Sequence, residues 1–355
     1  MSDRHQDLYR QDDLPLFQNR MYDNAAEARA CPRGSIRLVE DLDTGLVYNA
    51  AFDAARMDYD AAYQNEQGVS PQFQQHLDAA ADLIEATIGV EDLVEVGCGK
   101  GRFLELLLTR GAGITGFDPT YEGNNPFVRR EYFSEALGVN GKGLILRHVL
   151  EHIQDPVDFL HRLAKANGGQ GLIYIEVPCF DWICDNRAWF DIFHEHVNYF
   201  RLSDFKRIFG RLVHADRAFG GQYLRIVGDL STLRQPERDP SDPVVFPHDF
   251  MDRLTMESAV DTGISVIWGG ASKDVIFALL RERAGNSVAR VIDINPAKQN
   301  KYLAATGLRV LSPAEGLDGL PKGSVIHVMN TNYLAEIRAM VGPDFVCQGP
   351  DHDQV

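Results

Sequence analysis

The sequence is poor in cysteine and in positive charge, and it has no long apolar run. Its five cysteines, Cys31, Cys98, Cys179, Cys184 and Cys347, are odd in number, widely spaced and never arranged as C-x-x-C. Neither a disulfide framework nor a four-thiolate zinc site is therefore encoded, and a reducing, cytoplasmic setting is the expectation. Lys and Arg number 35 against 51 Asp and Glu, a formal charge of -16, which disfavours nucleic acid and anionic membranes as bulk partners. A small anionic ligand held by a local cluster of Lys and Arg stays open. No stretch approaches the roughly 18 apolar residues of a membrane span. The start, MSDRHQDLYRQDDLPLF, has no basic region followed by an apolar core.

What is present is an ordinary globular composition, 45% hydrophobic over 355 residues, enough for two or three domains. Residues 1–69 read as a small, turn-rich segment, with Ile36, Leu38 and Val39 and then Leu46, Val47 and Tyr48 flanking Asp43-Thr44-Gly45 as a hairpin. From Ser70, an N-cap followed by Pro71, the apolar positions Phe73, Leu77, Ala80, Leu83 and Ile84 form one helical stripe. Short apolar strands (LVEVG, GITGFDP, GLILRHV, GLIYIEVP) then alternate with helices over 70–235, the pattern of a mostly parallel sheet covered on both faces. The proline-rich stretch 236–247 reads as a linker. Residues 248–355 repeat the alternation as a second, smaller Rossmann-like unit. The fold class is α/β, with ligands expected beyond the carboxyl ends of the strands.

The strongest chemical signal is Glu95-Val96-Gly97-Cys98-Gly99-Lys100-Gly101 between a strand and a helix, with Asp118-Pro119 ending the next strand. Glycines there let a ligand approach the backbone at a helix N-terminus, and the acid can accept both hydroxyls of a ribose. The spacing is G-x-G-x-G, and Arg102 stands where a dinucleotide fingerprint has its third glycine. Together these residues resemble the class I S-adenosylmethionine-dependent methyltransferases. The resemblance implies a cofactor-binding set of Glu95, Gly97, Gly99, Gly101, Asp118, Pro119 and His148, with Tyr63 and Ser70 in the segment that caps the cofactor.

His148-Val149-Leu150-Glu151-His152 matches the H-x-x-E-H pattern of a zinc hydrolase, but a buried strand before it and Asp155-Pro156 after it leave too little helix to hold both histidines on one metal. No metal site is expected. Asp191-Ile192-Phe193-His194-Glu195-His196-Val197-Asn198-Tyr199-Phe200 is the densest cluster of acid-base groups, suited to proton abstraction near neutral pH. A satisfied structural histidine is the competing reading for His194.

With that cluster, Gly220-Gly221-Gln222-Tyr223-Leu224-Arg225, Trp268-Gly269-Gly270-Ala271-Ser272-Lys273 and Asp293-Ile294-Asn295-Pro296-Ala297-Lys298, the chain from about residue 60 to the end resembles the sugar C-methyltransferases that act on nucleotide-linked ketosugars. It departs from them twice. Phe193 stands where they carry a tyrosine, and Asp41-Leu42-Asp43-Thr44-Gly45 stands where they carry zinc-binding cysteines. The resemblance implies methyl transfer from S-adenosylmethionine to a small polar acceptor, a sugar or nucleotide-linked ketosugar in a glycan or natural-product pathway, by a monomer or homodimer. His196 is the expected base, with Glu195 orienting it and His194 and Tyr199 in support. His152, Asn198, Gly221, Gln222, Arg225 and Lys273 are the expected substrate contacts, and Lys273, Lys298 and Arg225 are what a diphosphate would need. O- or N-methylation of a free small molecule is the alternative within the class, and a silent cofactor-binding partner is the alternative outside it.

Overall fold

The computed structural model describes residues 4–57, 70–254 and 264–349. Tyr63 lies outside them. Near the N-terminus β1 (His5–Pro15), β2 (Arg33–Asp41) and β3 (Val47–Asn49) pair antiparallel, with the short helix α1 (Ala25–Arg29) between the first two. The β2–β3 hairpin sets Val39 opposite Tyr48, as the two apolar clusters around Asp43-Thr44-Gly45 require. Asp41 closes the turn by accepting from the N–H groups of Asp43 and Thr44. Asp41 and Asp43 are thus turn residues here.

Helix α2 (Pro71–Thr87) starts where its caps direct it, with the Ser70 hydroxyl accepting from the N–H of Phe73 and Pro71 opening the first turn. It buries Phe73, Leu77, Ala80 and Ile84, together with His76 and Ala81, while Leu83 is only half-buried. The central sheet follows as β4 (Leu93–Val96), α3 (Arg102–Thr109), β5 (Ile114–Phe117), β6 (Val128–Arg129), β7 (Gly143–Arg147), α4 (Pro156–Ala166) and β8 (Leu172–Pro178). A buried turn of helix α5 (Phe180–Asp185) leads to β9 (Asn198–Tyr199), α6 (Leu202–Ile208), β10 (Leu212–Ala218) and β11 (Tyr223–Asp229).

The strand order is β10-β11-β8-β7-β4-β5-β6, parallel from β6 through β8 and antiparallel at β11 and β10. Alternation sends Leu144, Leu146, Ile173 and Ile175 into one apolar layer and Ile145 and Tyr174 into the other, so helices cover both faces. Each fully buried Leu or Ile contributes about 1.5–3 kcal/mol. Because β4 has β5 on one side and β7 on the other, the chain reverses direction across the sheet at β4, and the crevice opens there. Strand β9 leaves this sheet and pairs with β3, Val47 opposite Tyr199. The acid-base segment is thereby pinned to the N-terminal sheet.

Residues 236–247 form neither helix nor strand, yet they are strapped down. Arg238 pairs with Glu40 at 2.7 Å, and Arg201 reaches Asp242 at 3.3 Å. Beyond them β12 (Ser265–Trp268), α7 (Lys273–Arg283), β13 (Arg290–Ile292), β14 (Val310–Leu311), α8 (Pro313–Leu317), β15 (Val325–His327), α9 (Leu334–Val341) and β16 (Val346–Gln348) form an all-parallel sheet. Its order, β14-β13-β12-β15-β16, puts a second reversal at β12.

Candidate active site

A cavity of about 370 Å³ lies between the two reversal points, lined at one end by Gly97–Gly99 and at the other by Gly269–Asp274. At the first end Gly97, Gly99 and Gly101 all hold positive φ (72°, 53° and 79°), conformations that glycine adopts without steric cost. The N–H of Gly99 donates to Asp118 at 2.8 Å, and the other oxygen of Asp118 accepts from Thr120. Asp118 is buried and Pro119 exposed, and neither is among the residues that line the cavity; Asp118 meets it through Gly99. Glu95, Ser70 and Phe73 line this end, with Glu336 of α9 accepting from the Ser70 hydroxyl at 2.8 Å. Burial pushes Glu95 up to about 8, against the pull of Arg147.

Beneath the Gly97–Gly99 end sits Glu176 of β8, fully buried and accepting from Arg147 (2.7 Å), His148 (3.0 Å), His76 (3.1 Å) and Tyr174 (2.6 Å). Burial would raise its pKa, but Arg147, with His148 and His76, holds it well below the usual range. His148 leaves β7 at φ 51°, an uncommon conformation for a residue with a side chain, and its ring reaches both Glu176 and, at 3.4 Å, Glu151. Burial opposes its charge, yet the two carboxylates push it up to about 9. The motif reading missed Glu176 and Arg147, although an acid and a base interrupting the apolar strands GLIYIEVP and GLILR were a legible signal.

Further along the cavity His152 and His196 meet edge to face at 5.0 Å, and Phe193 packs on His196 at 4.9 Å. The Nδ1–H of His152 donates to the carbonyl of Glu195 at 3.0 Å. Burial, with the positive surroundings of His152, His148 and Lys273, holds His196 well below 6.5. It is a neutral imidazole at the cavity wall, so it can take a proton. Glu151, His152 and His196 offer ligand atoms within 4.8 Å of one another, a set chemically able to hold a divalent cation. Glu151 lies in a single 3-10 turn, Leu150–His152, so the H-x-x-E-H segment is not the continuous helix of a zinc hydrolase.

Several expected site residues stand elsewhere. His194 is buried against the N-terminal sheet, Nδ1 on the Ser35 carbonyl at 2.9 Å, and does not line the cavity. Tyr199 bonds both the N–H and the C=O of Phe193, closing the loop, and burial lifts its pKa well above 10. Asn198 donates to the carbonyls of Leu150 and Ile153. Glu195 accepts from the N–H of Gln18 at 3.0 Å, and its carboxylate approaches His152 at 3.9 Å, so what it orients is His152. Asn198 and Tyr199 are held in β9 against β3, and His194 and Glu195 lie in the turn before it.

Arg225 forms a two-pronged pair with Asp216 (3.0 and 2.6 Å) and is also outside the cavity wall. Gly221, at φ 85°, lets Trp182 approach, where a Cβ would meet its ring at 3.1 Å. Gln222 is buried between Asn330 and Lys273. Lys273 does line the cavity, paired with Asp191 at 2.8 Å. At the far wall Asp293 accepts from the N–H of Gly270 at 2.7 Å and pairs with Lys298 at 3.3 Å. Gln18, Asp274 and Tyr333 also line the cavity and carry no motif, because each arrives from a separate part of the chain.

The sheet order is that of a Rossmann-like fold, with the Gly97–Gly101 loop and Asp118 at its reversal point. Residues 69–212 match a family model described as a methyltransferase domain. The C-methyltransferase NovU of Streptomyces niveus is 29% identical over 153 residues, 38% of this chain and 36% of that protein, so the match spans about a third of the relative's length. Among solved structures, the magnesium protoporphyrin IX methyltransferase of Synechocystis PCC 6803 with bound S-adenosylmethionine is similar at 16% identity and a TM-score of 0.34, covering 44% of this chain and 79% of that one. The 1,6-didemethyltoxoflavin-N1-methyltransferase of Burkholderia thailandensis is similar at 14% identity and a TM-score of 0.33, covering 53% and 97%.

Proposed function

We propose that this chain is an S-adenosylmethionine-dependent methyltransferase whose acceptor is a small polar molecule, a sugar or sugar-like group, free or nucleotide-linked. The observation that carries the reading is that one cavity joins the Gly97–Gly99 end to His152 and His196. The kinship with a protein called a C-methyltransferase supports the same class. Methyl transfer from a sulfonium is an in-line displacement with a good leaving group, so the chain's own work is alignment and removal of one proton from the acceptor. His196 takes that proton, and His152, held by its Nδ1–H on the Glu195 carbonyl, stands beside it.

Phe193 favours a second reading. It packs on His196 at 4.9 Å and offers no hydroxyl where an enolate would need one, which suits transfer to oxygen or nitrogen. Calorimetric titration with S-adenosylhomocysteine tests the class, and failure to bind would remove it. Thymidine diphosphate added next in the same cell tests the nucleotide-linked form of the acceptor.

A further inference from the structure

The H-x-x-E-H segment fails as a zinc motif along the chain. His148 sits at φ 51° ahead of the single 3-10 turn Leu150–His152, and its ring turns to Glu176 at 3.0 Å. The fold supplies a different second nitrogen. His196, from the turn before β9, meets His152 edge to face at 5.0 Å. With Glu151 the two rings offer ligand atoms that all lie within 4.8 Å of one another, and the three residues line the same cavity.

Two imidazole nitrogens and a carboxylate oxygen are a donor set suited to Zn²⁺, which takes three protein ligands and leaves a fourth position for water or a small molecule. Donors on one zinc stand about 3.4 Å apart, so a set spread within 4.8 Å closes on the ion by about 1 Å, a movement that side-chain rotation supplies. The surroundings are those of a built site. The Nδ1–H of His152 donates to the Glu195 carbonyl at 3.0 Å, which in the neutral ring puts the lone pair on Nε2. The two segments that carry the ligands are tied together by their backbones: the N–H of Val197 donates to the Glu151 carbonyl at 2.7 Å, and the Asn198 amide donates to the carbonyls of Leu150 and Ile153. The nearby positive side chains are each paired, Lys273 with Asp191 at 2.8 Å and His148 with Glu176 at 3.0 Å.

We propose that Glu151, His152 and His196 form an exchangeable site for a zinc-class divalent cation at the wall of the cavity. The site itself stands apart from the methyltransferase reading, but its consequence rests on that reading. A cation held there engages the ring nitrogen with which His196 would take the acceptor's proton, so zinc opposes turnover.

The experiment is calorimetric titration of zinc chloride into the full chain, with histidine ¹⁵N NMR of the unaltered protein beside it. One Zn²⁺ per chain is expected, held against an excess of Mg²⁺, which prefers oxygen ligands. E151Q, H152N and H196N should each weaken it by about tenfold or more, with scanning fluorimetry confirming that they fold. H214N, which removes the surface pair with Asp216, should leave it unchanged. In the unaltered protein the ring signals of His152 and His196 should shift with zinc and that of His194 should not. Uptake that survives the three variants, disappears in H214N or spreads over several weak sites is adventitious surface binding and overturns the inference. So does displacement by Mg²⁺, or ring signals of His152 and His196 that stay in place. S-adenosylhomocysteine binding is measured separately, and its failure removes the methyltransferase reading while leaving the cation site.

Discussion

The N–H of Gly99 donates to the carboxylate of Asp118 at 2.8 Å, and the same contact recurs in the second α/β unit, where Gly270 donates to Asp293 at 2.7 Å. In each case the glycine follows the strand at which the sheet reverses and the acid ends the neighbouring strand. The two units thus bring matching loops to a single cavity, one holding the cofactor in the reading above and one facing the acceptor.

Replacing Asp118 by Asn removes the charge that holds Gly99 and Thr120 and that would accept from a ribose. S-adenosylhomocysteine affinity is expected to fall by about 10- to 100-fold, the worth of a charge-assisted hydrogen bond. Calorimetry reads this directly, and an unchanged affinity would dissociate Asp118 from the cofactor.

Substituting His196 by Asn should lower turnover by about 10²–10⁴-fold while leaving S-adenosylhomocysteine affinity nearly unchanged. Because the folded chain keeps this imidazole neutral well below 6.5, kcat/KM should show no acid-side decline near pH 6.5 from His196. Loss of cofactor binding in the variant would instead mark His196 as structural.

His194, by contrast, faces the N-terminal sheet. His194→Ala should leave kcat close to wild type and lower the unfolding free energy by about 1–3 kcal/mol, the cost of a buried partner left unpaired. Urea denaturation set beside turnover checks both halves.

Burial pushes Asp274 up to about 8 from an ordinary 3.8. Between those values the folded chain holds a proton that the unfolded chain has released, so this group's contribution to stability falls as pH rises toward 8. Asn at 274 copies the neutral form at every pH. The melting temperature of Asp274→Asn relative to wild type should therefore climb steadily between pH 5 and about 8, as followed by scanning fluorimetry; a constant difference would contradict the assignment.

Glu176 ties α2 to β7 through His76, Arg147 and His148. Glu176→Gln leaves Arg147 buried without its counter-charge, and a loss of about 3–5 kcal/mol is expected, measured by chemical unfolding. Histidine NMR should show the His148 pKa dropping below about 9 in the same variant.

Much of this was legible in the residue order because it depends on neighbours along the chain. Ser70-Pro71 and the stripe from Phe73 to Ile84 fixed α2, and Gly97-x-Gly99-x-Gly101 with Asp118 fixed the loop and its acid, since positive φ and a strand-to-helix turn are local demands. The acid-base segment was legible as chemistry but not as geometry. His194 and His196 are alike on paper, and only the folded turn before β9 puts one on the Ser35 carbonyl of the N-terminal sheet and the other at the cavity.

By itself, then, the sequence determined the alternation of strands and helices, the glycine loop and the lack of a membrane-length apolar run, all properties of short windows. Only the tertiary structure decided which members of each motif share a cavity, and that Gln18, Glu151 and Asp274 line the same one. Their separation along the chain, residues 18 to 274, carries no local signal. They are brought together because two sheets, each reversing direction at its own central strand, pack with those two points facing one another.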